Sequence, residues 1–197
     1  MKNKYNLKER KKYLFVFCFL IFAFLVSCEK SNILNQSNPK EVLNYSKYNN
    51  NKLKNFIYKN GYKISTYEAE RLAGIINYYS QKNNLDPKLI VSLVAVESAF
   101  QTKAVSYAGA KGLGQLMPGT ARQMGVKNVF DAEENIEGTV KYINWLKKRA
   151  KTNDLNIILA SYNMGYGNVS SFLAKKRPFP TDVRKYVSDI KSLYTKV

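Results

Sequence analysis

The chain has 197 residues, of which 45% are hydrophobic, enough for one compact domain with its own core plus a tail. It has no histidine and two cysteines, which excludes a zinc site of the usual kind and makes metal catalysis a poor reading; no cofactor is expected. Its formal net charge of +18 points to a polyanionic partner, although a Lys- and Asn-rich composition alone also produces a solvated basic surface.

The N-terminus reads as an export signal, with Lys2, Lys4, Lys8, Arg10, Lys11 and Lys12 preceding the apolar run Leu14 to Val26. A helix of thirteen residues rises about 20 Å, short of a hydrocarbon core of about 30 Å, so a permanent span is disfavoured. The run ends in Leu25-Val26-Ser27-Cys28, which resembles the lipobox of bacterial lipoproteins. That resemblance implies a signal peptide over residues 1–27 and a lipidated Cys28, the acyl chains holding the protein to a bacterial membrane on the side facing the wall. Cys18 leaves with the signal, so no disulfide forms within the mature chain. Removing residues 1–27 takes away six cations and one anion and leaves +13. An exported protein does not normally meet nucleic acid, so anionic wall polymer or lipid headgroups are the expected partners of this charge. Residues 28–62, rich in Asn, Lys, Ser and Tyr, read as a flexible tether, with room for a short helix between Val42 and Tyr58.

From residue 63 to 197 the pattern is one of successive amphipathic helices with recognisable ends, and no convincing strand. Ser65-x-x-Glu68 is a capping box for a helix carrying Ala69, Leu72, Ala73 and Ile76 on one face. Asp86-Pro87 opens a second helix through Ile90, Leu93, Val94 and Glu97. Pro118 starts a short helix through Met124. Longer ones follow over Glu133 to Ala150 and Asn153 to Asn163, and the last runs from near Thr181-Asp182 to Tyr194. The expected fold is mainly α, with a glycine-rich connection at Gly109, Gly112 and Gly114.

Glu97 stands out because it lies three and four positions after Val94 and Leu93, on the face that the pattern predicts to be buried. Desolvation there raises a carboxyl pKa, as a general acid working near neutrality requires. A structural glutamate paired at a helix end explains the same periodicity. The loop Gly109 to Met117 places permissive backbone just before a helix start, where it can approach a ligand closely. Its Gln115 has amide donor and acceptor, and its Met117 a soft apolar surface, a pair suited to an N-acetylated sugar.

At these positions the chain resembles the soluble-type lytic transglycosylases, whose catalytic domain belongs to the lysozyme superfamily. Glu97-Ser98 with Phe100 resembles that family's Glu-Ser motif, and Gly112 to Ala121 its Gly-Leu-Met-Gln segment. Ala160-Ser161-Tyr162-Asn163-Met164-Gly165 resembles its Ala-Tyr-Asn-Ala-Gly segment, and Tyr186-Val187 its terminal tyrosine motif. The order and spacing of four motifs are far more specific than any one. Departures occur at Gly114, where methionine is common, and at Ser161 and Met164; a glycine at 114 implies a roomier subsite.

The resemblance implies a lysozyme-like helical domain over 63–197 with a glycine-rich active-site loop, acting on peptidoglycan glycan strands. It assigns Glu97 as the single acid/base for non-hydrolytic cleavage between N-acetylmuramic acid and N-acetylglucosamine. It assigns substrate positioning to Ser106, Gln115, Met117, Tyr162, Asn163 and Tyr186, with Ser98 beside Glu97. Tyr162 also reads as a core tyrosine, three and four residues after Leu159 and Ile158. A two-carboxylate glycosidase needs a partner acid, and none lies between Glu97 and Asp131. Asp131, Glu133, Glu134 and Glu137 are formal candidates that read instead as an acidic helix start. The competing functions are a hydrolytic muramidase and a non-catalytic wall-binding lipoprotein.

Overall fold

Residues able to cap set the helix starts. In a computed structural model of the chain, Tyr45, Tyr48 and residues 50–197 are described, all within a unit spanning Ser37–Val197. The expected signal peptide and Cys28 lie outside the described residues. Asn50 accepts from the backbone amides of Lys52 and Leu53 and opens α1, Asn51–Asn60. Ser65 accepts from Glu68 N at 3.1 Å and opens α2, Thr66–Lys82, where Glu68 also takes a bidentate pair from Arg71. Asp86 accepts from Lys88 N and opens α3, Pro87–Ser98. A short α4, Pro118–Met124, follows a long connection. Asp131 caps α5, Ala132–Ala150, and Asp154 caps α6, Leu155–Met164. Then come α7, Tyr166–Ala174, and α8, Thr181–Tyr194. Each such cap satisfies an otherwise orphaned amide and stabilises its helix by about 1 kcal/mol.

The helix α3 runs through the centre. Leu89, Ile90, Val91, Leu93 and Val94 are all buried, so nearly its whole circumference is apolar, and α1, α2 and α8 pack around it. The helix α5 packs on α2, α4 and α6, and α8 closes over α3 and α6. Among the described residues the only strand-like pairings are isolated bridges, Val105 with Lys111 and Lys111 with Leu116, so the mainly α expectation holds. No helix among the described residues is long and apolar enough to cross a membrane.

Two features differ from the sequence reading. The tether expected over 28–62 does not extend to its C-terminal end: Leu53, Phe56 and Ile57 of α1 join the core, and Tyr45 packs there as well. One face at i, i+3, i+4 is enough to dock a helix whose other positions are mostly Lys and Asn; the sequence left room for this helix, and its overall polarity hid the docking. The helix α7, by contrast, has no counterpart in the sequence reading. Only Val169 is buried along it, so its hydrophobic pattern is faint. It begins immediately after Gly165, whose φ of 81° turns the chain sharply out of α6.

Candidate active site

Glu97 sits in the last turn of α3, which ends abruptly. Ala99 and Phe100 both adopt left-handed backbone, with φ of 48° and 62°. Such strain in non-glycine residues needs outside support. It comes from the buried Phe100 ring and from Tyr62 N donating to Ala99 O at 3.0 Å. Ser98 is also buried. Its hydroxyl turns back to donate to Val94 O at 3.3 Å, and its carbonyl accepts from Gln101. These contacts tie Ser98, expected among the substrate-binding residues, to the end of the helix that carries Glu97.

From α8, the Tyr186 hydroxyl donates to Glu97 Oε1 at 2.5 Å. Burial raises the Glu97 carboxyl from the ordinary 4.5 to about 7, while the Tyr186 hydrogen bond opposes the rise by favouring the charged form. Burial and then the charge of Glu97 push both Tyr162 and Tyr186 well above the normal phenol range, so both remain neutral donors. No other acid among the described residues contributes to the shift of Glu97. The acidic start of α5 is engaged elsewhere. Asp131 caps the helix, Glu133 accepts from Tyr79 OH at 2.8 Å, Glu134 accepts from the amides of Lys127 and Asn128, and Glu137 pairs with Lys141 at 2.9 Å. Replacing Tyr186 with phenylalanine removes the one contact that lowers the Glu97 pKa, so the pKa rises further; the 13C shift of the Glu97 carboxyl followed through a pH titration reads this directly.

The glycine-rich segment is folded against α5 by one side chain that the motifs did not single out. Asn135, with 0% exposure, accepts from Gly114 N at 2.8 Å and donates to Val129 O at 2.7 Å and Lys111 O at 3.2 Å. Gly112, at φ of 75°, passes so close that a Cβ would stand 2.2 Å from Val129 O and 2.3 Å from Asn135 Nδ2. The roomier subsite expected from Gly114 is not found at that position. Gly114 is buried, a Cβ there would meet Thr139 Oγ1 at 2.0 Å, and its carbonyl accepts from Tyr162 OH at 2.6 Å. The glycine makes room for α5 and α6, not for a ligand.

Beside this segment lies a cavity of about 310 Å³ lined by Gln115, Met117, Tyr162 and Asn163, four of the expected binding residues, together with Thr120 and Tyr142. Gln115 holds a left-handed φ of 48°, and its amide nitrogen donates to Ala104 O and Gly112 O, leaving Oε1 as the atom free to face a ligand. Met117 is 45% exposed at the rim. Tyr162 is both a wall of the cavity and a hydrogen-bonded partner of the core, so its two readings describe one residue. Neither Tyr186 nor Glu97 lines the cavity itself; both interact electrostatically with Tyr162 in its wall. Ser106 does not line it: its hydroxyl accepts from Ala110 N at 3.0 Å and holds the turn that ends at Gly109. Sequence reasoning missed Tyr142, whose ring stands 5.2 Å from Tyr162 and stacks on Trp145 at 5.8 Å. Asn135, Thr139 and Tyr142 form a polar stripe at i, i+4, i+7 on a helix otherwise packed with Ile and Val, a pattern that could have marked them.

The chain has relatives among known proteins. The family model described as Transglycosylase SLT domain matches residues 74–183. The "Transglycosylase" of Enterobacteria phage PRD1 is 35% identical over 109 residues, covering 55% of this chain and 40% of the phage protein. The "Membrane-bound lytic murein transglycosylase F" of Desulfosudis oleivorans is 38% identical over 104 residues, 50% of this chain and 23% of that protein. The chain therefore spans less than half the length of these relatives. Among solved structures, an inactive mutant of lytic transglycosylase Slt from Pseudomonas aeruginosa superposes with a TM-score of 0.55 at 26% identity, covering 60% of this chain and 22% of that one. The 70 kDa soluble lytic transglycosylase of Escherichia coli, at 22% identity and a TM-score of 0.57 over 72% of this chain and 27% of its own, shares the fold. With the match extending over more than half of its residues, from the middle of α2 to the start of α8, the chain belongs to the transglycosylase SLT domain family.

Proposed function

We propose that the protein is a peptidoglycan lytic transglycosylase that cleaves the β-1,4 bond between N-acetylmuramic acid and N-acetylglucosamine without consuming water. The observation that carries this reading is a half-buried carboxyl, raised by desolvation to about 7 and shifted by no other acid among the described residues, near a cavity that offers one amide oxygen and aromatic walls. At neutral pH a good share of Glu97 is protonated and donates its proton to the glycosidic oxygen as the bond breaks. The substrate's own N-acetyl carbonyl stabilises the charge developing at the anomeric carbon. The resulting Glu97 carboxylate then takes the proton of the muramyl C6 hydroxyl as that oxygen attacks, closing a 1,6-anhydro ring and restoring the acid. Gln115 Oε1 is placed to accept from an N-acetyl N–H, and Tyr142 and Tyr162 give flat surfaces for a sugar ring. Holding the C6 hydroxyl against the anomeric carbon makes the second step intramolecular, for which positioning supplies several kcal/mol.

The same reading places the protein outside the cytoplasm, with residues 1–27 as a signal peptide, Cys28 carrying lipid, a tether that ends before α1, and the catalytic domain beyond it. It is supported by the lipobox-like order of residues 25–28 and by relatives named membrane-bound murein transglycosylases. The mature charge of +13 then meets anionic wall polymer or lipid headgroups.

Intact-mass analysis of digested peptidoglycan tests the chemistry. The expected product is one water lighter than the hydrolytic muropeptide. A product carrying that water makes the protein a muramidase. If the wild type and Glu97→Gln bind wall equally and neither releases soluble fragments, the protein is a wall-binding module.

A further inference from the structure

A second cavity, of about 300 Å³, lies away from Glu97 between α6, the 175–180 connection and α8, and none of the residues above uses it. Its walls are Asn156, Phe179, Arg184, Val187, Ser188 and Lys191. Positions 184, 187, 188 and 191 share one face of α8, since they stand at i, i+3, i+4 and i+7. Tyr186 leaves the same helix on nearly the opposite side to meet Glu97, so α8 stands between the cavity and the carboxyl.

The two cations in it are held in place without being neutralised. Lys191 donates to Asn156 Oδ1 at 3.0 Å and Arg184 to Thr181 Oγ1 at 3.1 Å, both neutral acceptors. On the neighbouring face, by contrast, Lys185 is closed off by Asp189 at 2.6 Å. Between Arg184 and Lys191 the floor is apolar, formed by the buried Val187 and by Phe179, which is braced edge-on by Phe172. Two fixed positive charges flanking an apolar floor recognise an acidic ligand with an apolar body. Their spacing narrows the choice. Seven residues of helix put their backbone positions about 10 Å apart, which suits carboxylates some three residues apart on an extended peptide better than one compact phosphate.

We propose that this cleft binds the carboxylate-bearing stem peptide of the peptidoglycan strand, while the Gln115–Asn163 cavity holds its sugars. The inference rests on the function proposed above and deepens it: the enzyme reads the peptide decoration of its substrate through Arg184 and Lys191.

The test compares peptide-bearing glycan strands with the same strands stripped of peptide by an amidase, using wild type and Arg184→Gln/Lys191→Gln. Both side chains are exposed, so the fold is retained. The expected result is a KM on peptide-bearing strands raised roughly tenfold, with kcat and all constants on stripped strands unchanged. Equal losses on both substrates, or no change on either, overturn the proposal. So does a loss confined to adsorption on anionic phospholipid vesicles, which makes the cleft a membrane contact. A binding arm needs no turnover: NMR titration of the chain with alanyl-γ-glutamyl-diaminopimelic acid shifts the amides of residues 184–191 if the cleft takes the peptide, and leaves them still if it does not. Wild type inactive on both strand types fails the enzymatic reading itself, and the titration then decides the cleft alone.

Discussion

Replacing Glu97 with glutamine lowers turnover on peptidoglycan by about a thousandfold or more and at the same time stabilises the domain above neutral pH. The first effect follows from the proposed role of Glu97 as the group that both gives and takes the proton. The second follows from linkage. The folded-state carboxyl titrates near 7 and the unfolded one near 4.5, so between these values the folded chain holds a proton that the unfolded chain has released. The contribution of Glu97 to stability is therefore complete below about 4.5 and is lost as pH climbs to 7 and beyond, where the charged, desolvated side chain costs about 3 kcal/mol. Glutamine has the same shape, accepts from Tyr186 and does not ionise. The Tm of the variant accordingly matches the wild type near pH 4 and exceeds it by roughly 5–10 °C at pH 8. Calorimetry across that range, paired with release of soluble fragments from purified wall, checks both halves. A Tm difference that is flat in pH shows a solvated carboxyl, and undiminished lysis by the variant assigns the chemistry to some other group.

That carboxyl was legible because the chain writes it against an apolar background: Leu93 and Val94 precede Glu97 on a helix whose start is announced by Asp86-Pro87. The caps at Ser65 and Asp86 were legible for the same local reason, each being a side chain reaching an amide two or three residues on. What escaped the sequence depends on contacts between distant positions. Asn135 reaches Gly114 across 21 residues, and Tyr162 reaches its carbonyl across 48. Nothing within a local window distinguishes a glycine that opens space for a ligand from one that yields space to a neighbouring helix, which is why Gly114 read as a subsite. A short helix before Tyr58 was open to the sequence, but its docking on the core escaped because its three core residues are diluted by Lys and Asn.

Asn135→Ala is expected to be among the most destabilising single changes in the domain, although Asn135 touches neither Glu97 nor Tyr186. Its removal leaves Gly114 N–H and Val129 C=O without their buried partner, while Lys111 C=O keeps only the backbone bond from Leu116 N. Each unsatisfied group costs about 1–3 kcal/mol, so even with partial relaxation or an entering water the total is about 3 kcal/mol or more, a drop in Tm of roughly 6–12 °C. Leucine at this position is worse than alanine, because it fills the site with a group that blocks water from replacing the lost bonds. Aspartate separates the two halves of the interaction: it still accepts from Gly114 N but cannot donate to Val129 O and Lys111 O, and it adds a buried charge. The functional consequence is selective. Loosening Gly114 loosens the carbonyl that anchors Tyr162, and with it the wall shared with Gln115, so KM for glycan rises. The Glu97–Tyr186 pair is built from α3 and α8 and keeps its geometry, so the Glu97 titration stays near 7 in the variant. A shift in that titration together with the rise in KM would show that the loop and the carboxyl are one mechanical unit; an unshifted titration shows that substrate grip and proton chemistry reside in separable parts of the fold.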